Sequence, residues 1–527
     1  MKNKTLLTLL CLLLVGNLLA QDNGSLDNSF SQDGIAILDE QNLDSFQDVI
    51  IQDDQKILGI GLSFDDNYYS SVYVIRFMPD GSVDNEFGVN GIFRYELDFE
   101  ALAYSGVINS DGKIILVGST TNYIDYRMLL IQLNSDGTLD SSFGEDGVVT
   151  ASIGLADEFQ SDQASAIALD SNENILICGF SLDENSSARP VVLRFSQDGV
   201  LDTTFGESGV ATIPISNAEN TFDCVAVQPD GKIIAAGHYA NDILWYVALV
   251  VRFNVDGTLD TTFGNEGIVK YSYSDVDDEV YDMVIAPDGK IILAGFSGSQ
   301  DYNYNTLLMR LTSDGVLDST FGVDGIVAED NGSFDIAEDV TLLEDGRILI
   351  AGTSGEAPPG MSNMAAWIYQ SDGSPDMSFG DNGFSTHAIS GTSVIMHGMD
   401  VQADGKIVIA GQSRPGNGAN DFIVIRLLNS VVSGIEDSEL AVSPKVFPNP
   451  ATSNQVISLE IAPNTAQFTS ISYYTLDGRH IQSVPLSVNS STTQVTTNIP
   501  SGLAKGLYLI RFEGNGIISS GSKLIIQ

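Results

Sequence analysis

A phenylalanine-centred motif, DGTLDTTFGNEGIV at residues 256–269 and DGVLDSTFGVDGIV at 314–327, is written seven times along the chain. Its phenylalanine stands at Phe30, Phe87, Phe143, Phe205, Phe263, Phe321 and Phe379, at intervals of 57, 56, 62, 58, 58 and 58 residues. A fixed period of this length constrains the fold more than any composition does. One unit cannot bury its own apolar face, so successive units must stack on one another.

Two further landmarks keep step with the first. A DGKIILAG-like stretch ends at Gly61, Gly118, Gly179, Gly237, Gly295, Gly352 and Gly411, and a VxRxxxDG run is seen as VIRFMPDG, VLRFSQDG, VVRFNVDG and LMRLTSDG. Turns such as PDG between short alternating runs read as hairpins. Each unit then holds four strand-sized segments, and no run of ten residues keeps a helical period. The expected fold is all-β: a seven-bladed β-propeller over residues 24–430. A β-solenoid is the rival, but its shorter turns would not need a hairpin in each unit. Ring closure also removes exposed sheet edges.

Within the opening motif, Gly257 and Gly264 suit turns that need positive φ, while Asp256 and Asp260 suit Asx turns. Leu259 and Phe263 are expected to wedge between sheets. A calcium loop would need carboxylates at closer alternate spacing than DGTLDTTFG offers.

The first twenty residues place Lys2 and Lys4 before an apolar run ending at Ala20, the pattern of a cleaved secretory signal. No later stretch has the roughly 18 apolar residues of a membrane helix. The formal net charge of −47 opposes binding to phosphate backbones and to anionic membrane surfaces, so nucleic acid is excluded as a partner. Cys178 and Cys224, the two cysteines beyond the signal, lie in strand-like runs and read as buried thiols rather than a bridge.

The LDxxFGxxG and DGKIxxAG motifs, in register over residues 24–430, resemble the delta-60 repeat of bacterial secreted and surface proteins. That resemblance implies a seven-bladed propeller and brings no catalytic residues. The first unit lacks the glycine after Phe30, and the seventh has Pro375 where others have Leu or Val. Residues 431–445 read as a linker. After it, VFPNPAT at 446–452, YTLDGRHIQ at 474–482 and GLYLIRFEGNGIISSGSKLIIQ at the C-terminus resemble the type A sorting domain of type IX secretion cargo. This implies a small C-terminal β-sandwich over 446–527, handling by the type IX secretion machinery, a secreted or outer-membrane cell-surface location, and a Bacteroidota-type source.

Strands that run alternately up and down put the DG hairpins and LDxxFGxxG loops on one face and the remaining loops on the other. The first face hardly varies between units; the second does, and variation on a common scaffold is where binding is expected. Its loops are acidic (Glu96, Asp98, Glu100; Asp157, Glu158; Asp335, Glu338, Asp339) and aromatic. The candidate ligand-binding residues are Tyr68, Tyr69, Tyr123, Tyr126, Tyr239, Tyr302 and Tyr304; Trp245, Tyr246 and Trp367 read as core. No cofactor is expected, with calcium as the alternative, held by Asp275, Asp277, Asp278 and Glu279. His238, His387, His397 and His480 match no metal-ligand spacing, and there is no GxSxG elbow, Walker loop or GxGxxG. The sequence therefore favours a non-enzymatic, secreted or surface-displayed propeller that binds a glycan or protein. The alternatives are a polysaccharide-active hydrolase with a carboxylate pair at the propeller centre, placed most readily in the 62-residue third unit, and a calcium-stiffened structural module.

Overall fold

The computed structural model describes residues 23–429, apart from segments 41–42, 98–99, 122–124, 154–160, 184–186, 214–219, 242–244, 275, 299–302, 331–333, 357–360, 390 and 416–418, together with the strands and a few flanking residues of 445–526. The expected signal peptide, nearly all of the linker, and Asp98, Asp157, Glu158, Tyr123, Tyr302 and Asp275 lie outside the described residues. Two compact units are separated at Val431/Val432. The described residues contain no helix.

The first unit is built from four-stranded antiparallel blades. In blade 1 the strands Leu43–Ile51, Ile57–Phe64, Ser70–Phe77 and Ile92–Tyr95 pair in that order. The same order repeats from Glu100, Asp162, Asn220, Asp278 and Phe334, and the strands of blades 5 and 6 meet at one parallel pair, Tyr304–Phe334. Blade 7 takes three strands from Thr392–Leu427 and its outer strand, Ile35–Leu38, from the chain's start. The first strand of each blade lies against the first strands of both neighbours, so these seven strands line the axis. The all-β propeller expected from the repeat is therefore the observed architecture.

Apolar material is buried between blades rather than within one. Ile60 and Val74 of blade 1 share a cluster with Ala103 and Leu116 of blade 2, while the opposite side of blade 1 gives Phe46 and Tyr73 to a cluster with Val408 and Val424 of blade 7. Each motif phenylalanine fills one such interface: Phe87, Phe143, Phe205, Phe263, Phe321, Phe379 and Phe30. All seven are at most 1% exposed. Full burial of one such ring contributes about 1.5–3 kcal/mol.

Polar groups of the same motif complete the joint. Asp260 Oδ1 accepts from Thr262 N and Oγ1, closing the expected Asx turn, and its Oδ2 takes the Arg252 guanidinium at 2.7 Å. Arg252 lies over the Phe263 ring at 4.7 Å and donates to the Ser313 carbonyl of blade 5 at 2.6 Å. Arg76, Arg194, Arg310 and Arg426 repeat this latch. Blades 2 and 6 have Gln132 and Ile368 at that position, and Lys113 and Arg347 reach Asp140 and Asp376 instead.

The ring closes through the N-terminal segment. Ile35–Leu38 pairs with Phe422–Ile425, Gly24 N donates to the Leu428 carbonyl at 2.6 Å, and Arg426 takes Asp27 as its carboxylate and Phe30 as its ring. A backbone link from the residue after each phenylalanine to the following blade runs round the whole ring, from Gly88 N to Asp136 O through to Gly380 N to Asn23 O. Ser31 fills this role beside Phe30, at φ 49° where Gly264 has 51°.

Among the described residues, the second unit holds two sheets, one of three strands and one of five. Ile457 from the first and Ile471, Tyr473, Ile510 and Leu524 from the second share one apolar cluster.

Candidate functional site

A departure from regular strand pairing recurs on the axis. In blade 1, Phe46 pairs with Gly61 and Asp48 with Ile60, which leaves Gln47 as an extra residue: a β-bulge. The glycine that ends each KIILAG-like stretch explains why it sits there. A Cβ on Gly61 would run into the Ser45 carbonyl oxygen of the inner strand, and Gly118, Gly179, Gly237, Gly295, Gly352 and Gly411 face the same obstruction from Leu102, Gln163, Thr221, Glu279, Ile336 and Ile395. Only glycine lets the two backbones approach this closely.

The bulge repeats in every blade, and the extra residues are Gln47, Tyr104, Ser165, Asp223, Tyr281, Glu338 and His397. Each carries a hydrogen-bonding side chain, and each is half-buried on a strand whose outward neighbours are packed in the core. This polar ring around the axis is the candidate site.

On blades 4 to 7 its members join with neighbours into an acid–imidazole–phenol arc. His238 Nδ1, on the second strand of blade 4, lies 3.1 Å from Asp223 Oδ2 and 3.6 Å from Glu279 Oε2 of blade 5. The Tyr246 ring stands edge-on to the imidazole at 4.6 Å. Burial pushes the Glu279 carboxyl up to about 6, with His238 opposing and Asp223 adding to the rise, and the Tyr281 hydroxyl bonds to it. Burial, followed by the charges of Glu279, Glu338 and Asp223, keeps that hydroxyl protonated. In blade 7, His397 Nδ1 lies 3.1 Å from Glu338 Oε2 of blade 6.

Next to the bulge a second set of carboxylates fastens blades together. Asp48 Oδ2 accepts from Gly106 N at 2.9 Å and Ser105 Oγ at 3.2 Å, Asp282 from Val340 N at 3.0 Å, Asp339 from Met399 N at 2.8 Å and Asp400 from Ile51 N at 2.7 Å. Burial raises the Asp48 carboxyl to about 7 and displaces Asp282, Asp339 and Asp400 upward as well. Blades 2, 3, 4 and 7 carry Ser105, Ala166, Cys224 and Gly398 at the position of Asp48, and Asp400 lies two residues beyond it on the blade 7 strand. Cys178 and Cys224 are buried free thiols.

The loop residues singled out from sequence are dispersed. Tyr68 and Tyr69 share an exposed loop of blade 1, at 71% and 37%. Tyr126 is half-buried at the start of a strand in blade 2, and Tyr239 is half-buried beneath the Lys270 ammonium, 3.9 Å from its ring centre. Tyr304 stands edge-on to Phe296 and Phe334, at 5.0 and 5.4 Å. Trp367 is core as expected, whereas Trp245 is 37% exposed. Of the candidate calcium ligands, Asp277 Oδ1 accepts from Tyr246 N, Asp278 Oδ2 from Tyr273 N and Ser274 N, and Glu279 turns to His238. Among the described residues, no group of three or more His, Cys, Asp or Glu side chains is arranged to hold a metal ion.

Sequence reading passed over Asp223, Tyr281 and the partnership of His238 and His397 with acids. The signal was present in the repeat: each landmark glycine marks the position opposite a bulge, and the residue after its inner-strand partner is polar in all seven units.

Comparison with known proteins agrees with this architecture. Six segments, 52–87, 109–143, 171–205, 228–263, 286–321 and 402–430, match the domain of unknown function (DUF5122) beta-propeller, and residues 445–527 match the secretion system C-terminal sorting domain. No curated protein matches the chain. Solved structures with some likeness include a hypothetical protein from Leishmania major, at 12% identity and TM-score 0.25 over 51% of this chain and 88% of that one. Another is a PL25 polysaccharide lyase, an ulvan lyase bound to -[GlcA(1-4)Rha3S]-, at 10% identity and TM-score 0.42 over 78% and 94%. Both are too distant to inform ligand or activity. The sorting domain indicates secretion with cell-surface or outer-membrane attachment, and no helix among the described residues is long and apolar enough to cross a membrane. The chain is thus a DUF5122-type β-propeller of delta-60 repeats that ends in a type IX secretion sorting domain.

Proposed function

We propose that this secreted propeller is a non-enzymatic binding module whose glycan ligand seats on the axial polar ring. One observation carries the reading: seven bulges at one position of seven inner strands, every one bearing a hydrogen-bonding side chain. Bulges cost ladder hydrogen bonds and serve to re-aim a side chain. A ring of amide, hydroxyl, phenol, imidazole and carboxylate groups offers donors and acceptors on all sides, which is the chemistry that recognises a polyhydroxylated chain. The exposed Tyr68 and Tyr69 add aromatic faces on which a sugar can stack.

Hydrolysis is less well supported. A glycosidase pair needs two carboxylates with the scissile bond between them, whereas His238 lies within reach of both Asp223 and Glu279. The calcium alternative has its own test, the effect of a chelator on the melting temperature.

The decisive experiment is a glycan-array screen of residues 21–527, with and without calcium, followed by titration of any hit. Tyr281→Phe and Gln47→Ala are expected to weaken binding about tenfold or more, which is about 1.4 kcal/mol, with no release of reducing ends. A blank array in both conditions ends the glycan reading and turns the search to protein partners.

A further inference from the structure

The two histidines of the ring share one arrangement. Each presents Nδ1 to a carboxylate from another strand, and each contact joins neighbouring blades: His238 of blade 4 to Glu279 of blade 5, and His397 of blade 7 to Glu338 of blade 6. Their side chains are only 16% and 24% exposed, and the facing carboxylates 12% and 19%. Solvent therefore screens these contacts less than it screens surface pairs.

The groups that face His238 are Asp223 from the inner strand of its own blade, Glu279 and Tyr281 from the inner strand of blade 5, and Tyr246 from the third strand of blade 4. His397 faces Glu338 from the inner strand of blade 6; further along its own strand Met399 N donates to Asp339 and Val401 N to Asp400, with Asp48 of blade 1 close enough to act on Asp339. No lysine or arginine has an ion pair with any of Asp223, Glu279 or Glu338 among the described residues. The His238 imidazole is thus the switchable positive charge at the joint of blades 4 and 5, and histidine is the side chain whose ordinary titration falls between pH 5 and 8.

We infer that the axial ring is proton-linked at the joint of blades 4 and 5: His238 is an inter-blade clasp, charged and tight in acid, neutral and weaker in base, so that this joint presents a ligand with different charge on the two sides of neutrality. With the His238 imidazole neutral, the Asp223 and Glu279 carboxyls stand at the joint without a facing positive charge; with it protonated, one positive charge meets both. Nδ1 carries a single hydrogen in either state, so it is the positive charge of the protonated ring, and not a second hydrogen bond, that offsets the repulsion between Asp223 and Glu279 across the joint of blades 4 and 5. The clasp function stands on the geometry alone; the consequence for a ligand rests on the binding role proposed above.

The test uses residues 21–527 without ligand. Melting temperature is followed from pH 5 to pH 8 for wild type and for the His238→Gln variant. The wild-type temperature should fall as pH rises and the variant should fall less, with the two curves converging at the basic end. Parallel curves would overturn the inference. Should the variant fail to fold, the His238 imidazole Cε1 resonance of the wild type, assigned by elimination through single variants of the other histidines, is titrated beside Asp223→Asn. Neutralising the partner should move the midpoint to lower pH, and an unmoved midpoint would equally overturn it. A blank glycan screen at both pH values would remove the ligand and leave the clasp standing, so the two readings fail separately.

Discussion

Arg252 shows how much one side chain can do in a repeat. Its guanidinium joins a buried carboxylate, an aromatic face and the backbone of the next blade, and both it and Asp260 are about 5% exposed or less. Removing one partner of a buried pair strands the other's charge. Lys232 stays 2.9 Å from Asp260 and softens the loss, so Arg252→Met should cost about 2–3 kcal/mol in urea unfolding. Arg94, whose pair with Glu96 is exposed, should change stability by less than about 0.5 kcal/mol when replaced by Ala. The sequence exposed Phe263 and Asp260 as structural because they recur at fixed spacing. It hid His238 and His397 for the opposite reason: they occur once each, 159 positions apart, and their acids come from other strands. Burial, charge and reach across a blade joint are not properties of a one-dimensional pattern.

At the level of strands, the hairpins and pairing order were legible because the DG turns and alternating runs declare them. The bulges were not, since one extra residue in a short inner strand leaves its apolar pattern readable as an ordinary strand. The landmark glycines close the DGKIILAG-like stretch in the sequence without declaring their role, which is to yield space to a neighbouring backbone. The weaker first and seventh motifs were the sign of closure: Phe30 serves blade 7, and Phe379 fills the joint between blades 6 and 7. Without residues 23–34, blade 7 would lose Asp27 and Phe30, and Asp421–Leu427 would become an open edge once Ile35–Leu38 frayed. Unpaired edges recruit other chains. A chain beginning at residue 35 should therefore elute from size-exclusion chromatography as large assemblies, while the chain from residue 21 elutes as a discrete species.

The whole molecule carries opposing sets of shifted carboxyls. Burial raises Asp48 to about 7 and Glu279 to about 6. A raised group contributes stability that is complete below its unfolded value near 4 and lost as pH climbs through its folded value. Asp318, held down by the Thr320 hydroxyl, and Asp140, held down by Lys113, act in the other direction: their contribution is present above about 4 and lost in stronger acid. Stability should therefore peak at mildly acidic pH, near 5, and decline toward pH 8. Asp48→Asn should flatten that basic limb in a melting series, and an optimum above pH 7 would contradict the assignment of Asp48 and Glu279. The joining of residues 23–38 to the last blade has a consequence in time rather than in energy. The segment is the first part of the propeller to emerge from the ribosome, and its hydrogen-bonding partners up to Leu428 emerge some 390 residues afterwards. Until then the circle is an open arc that cannot lock. Because the sorting domain follows blade 7 in the chain, it is synthesised only after every strand needed for closure exists, so the order of synthesis itself places the export address behind a propeller that has all its parts.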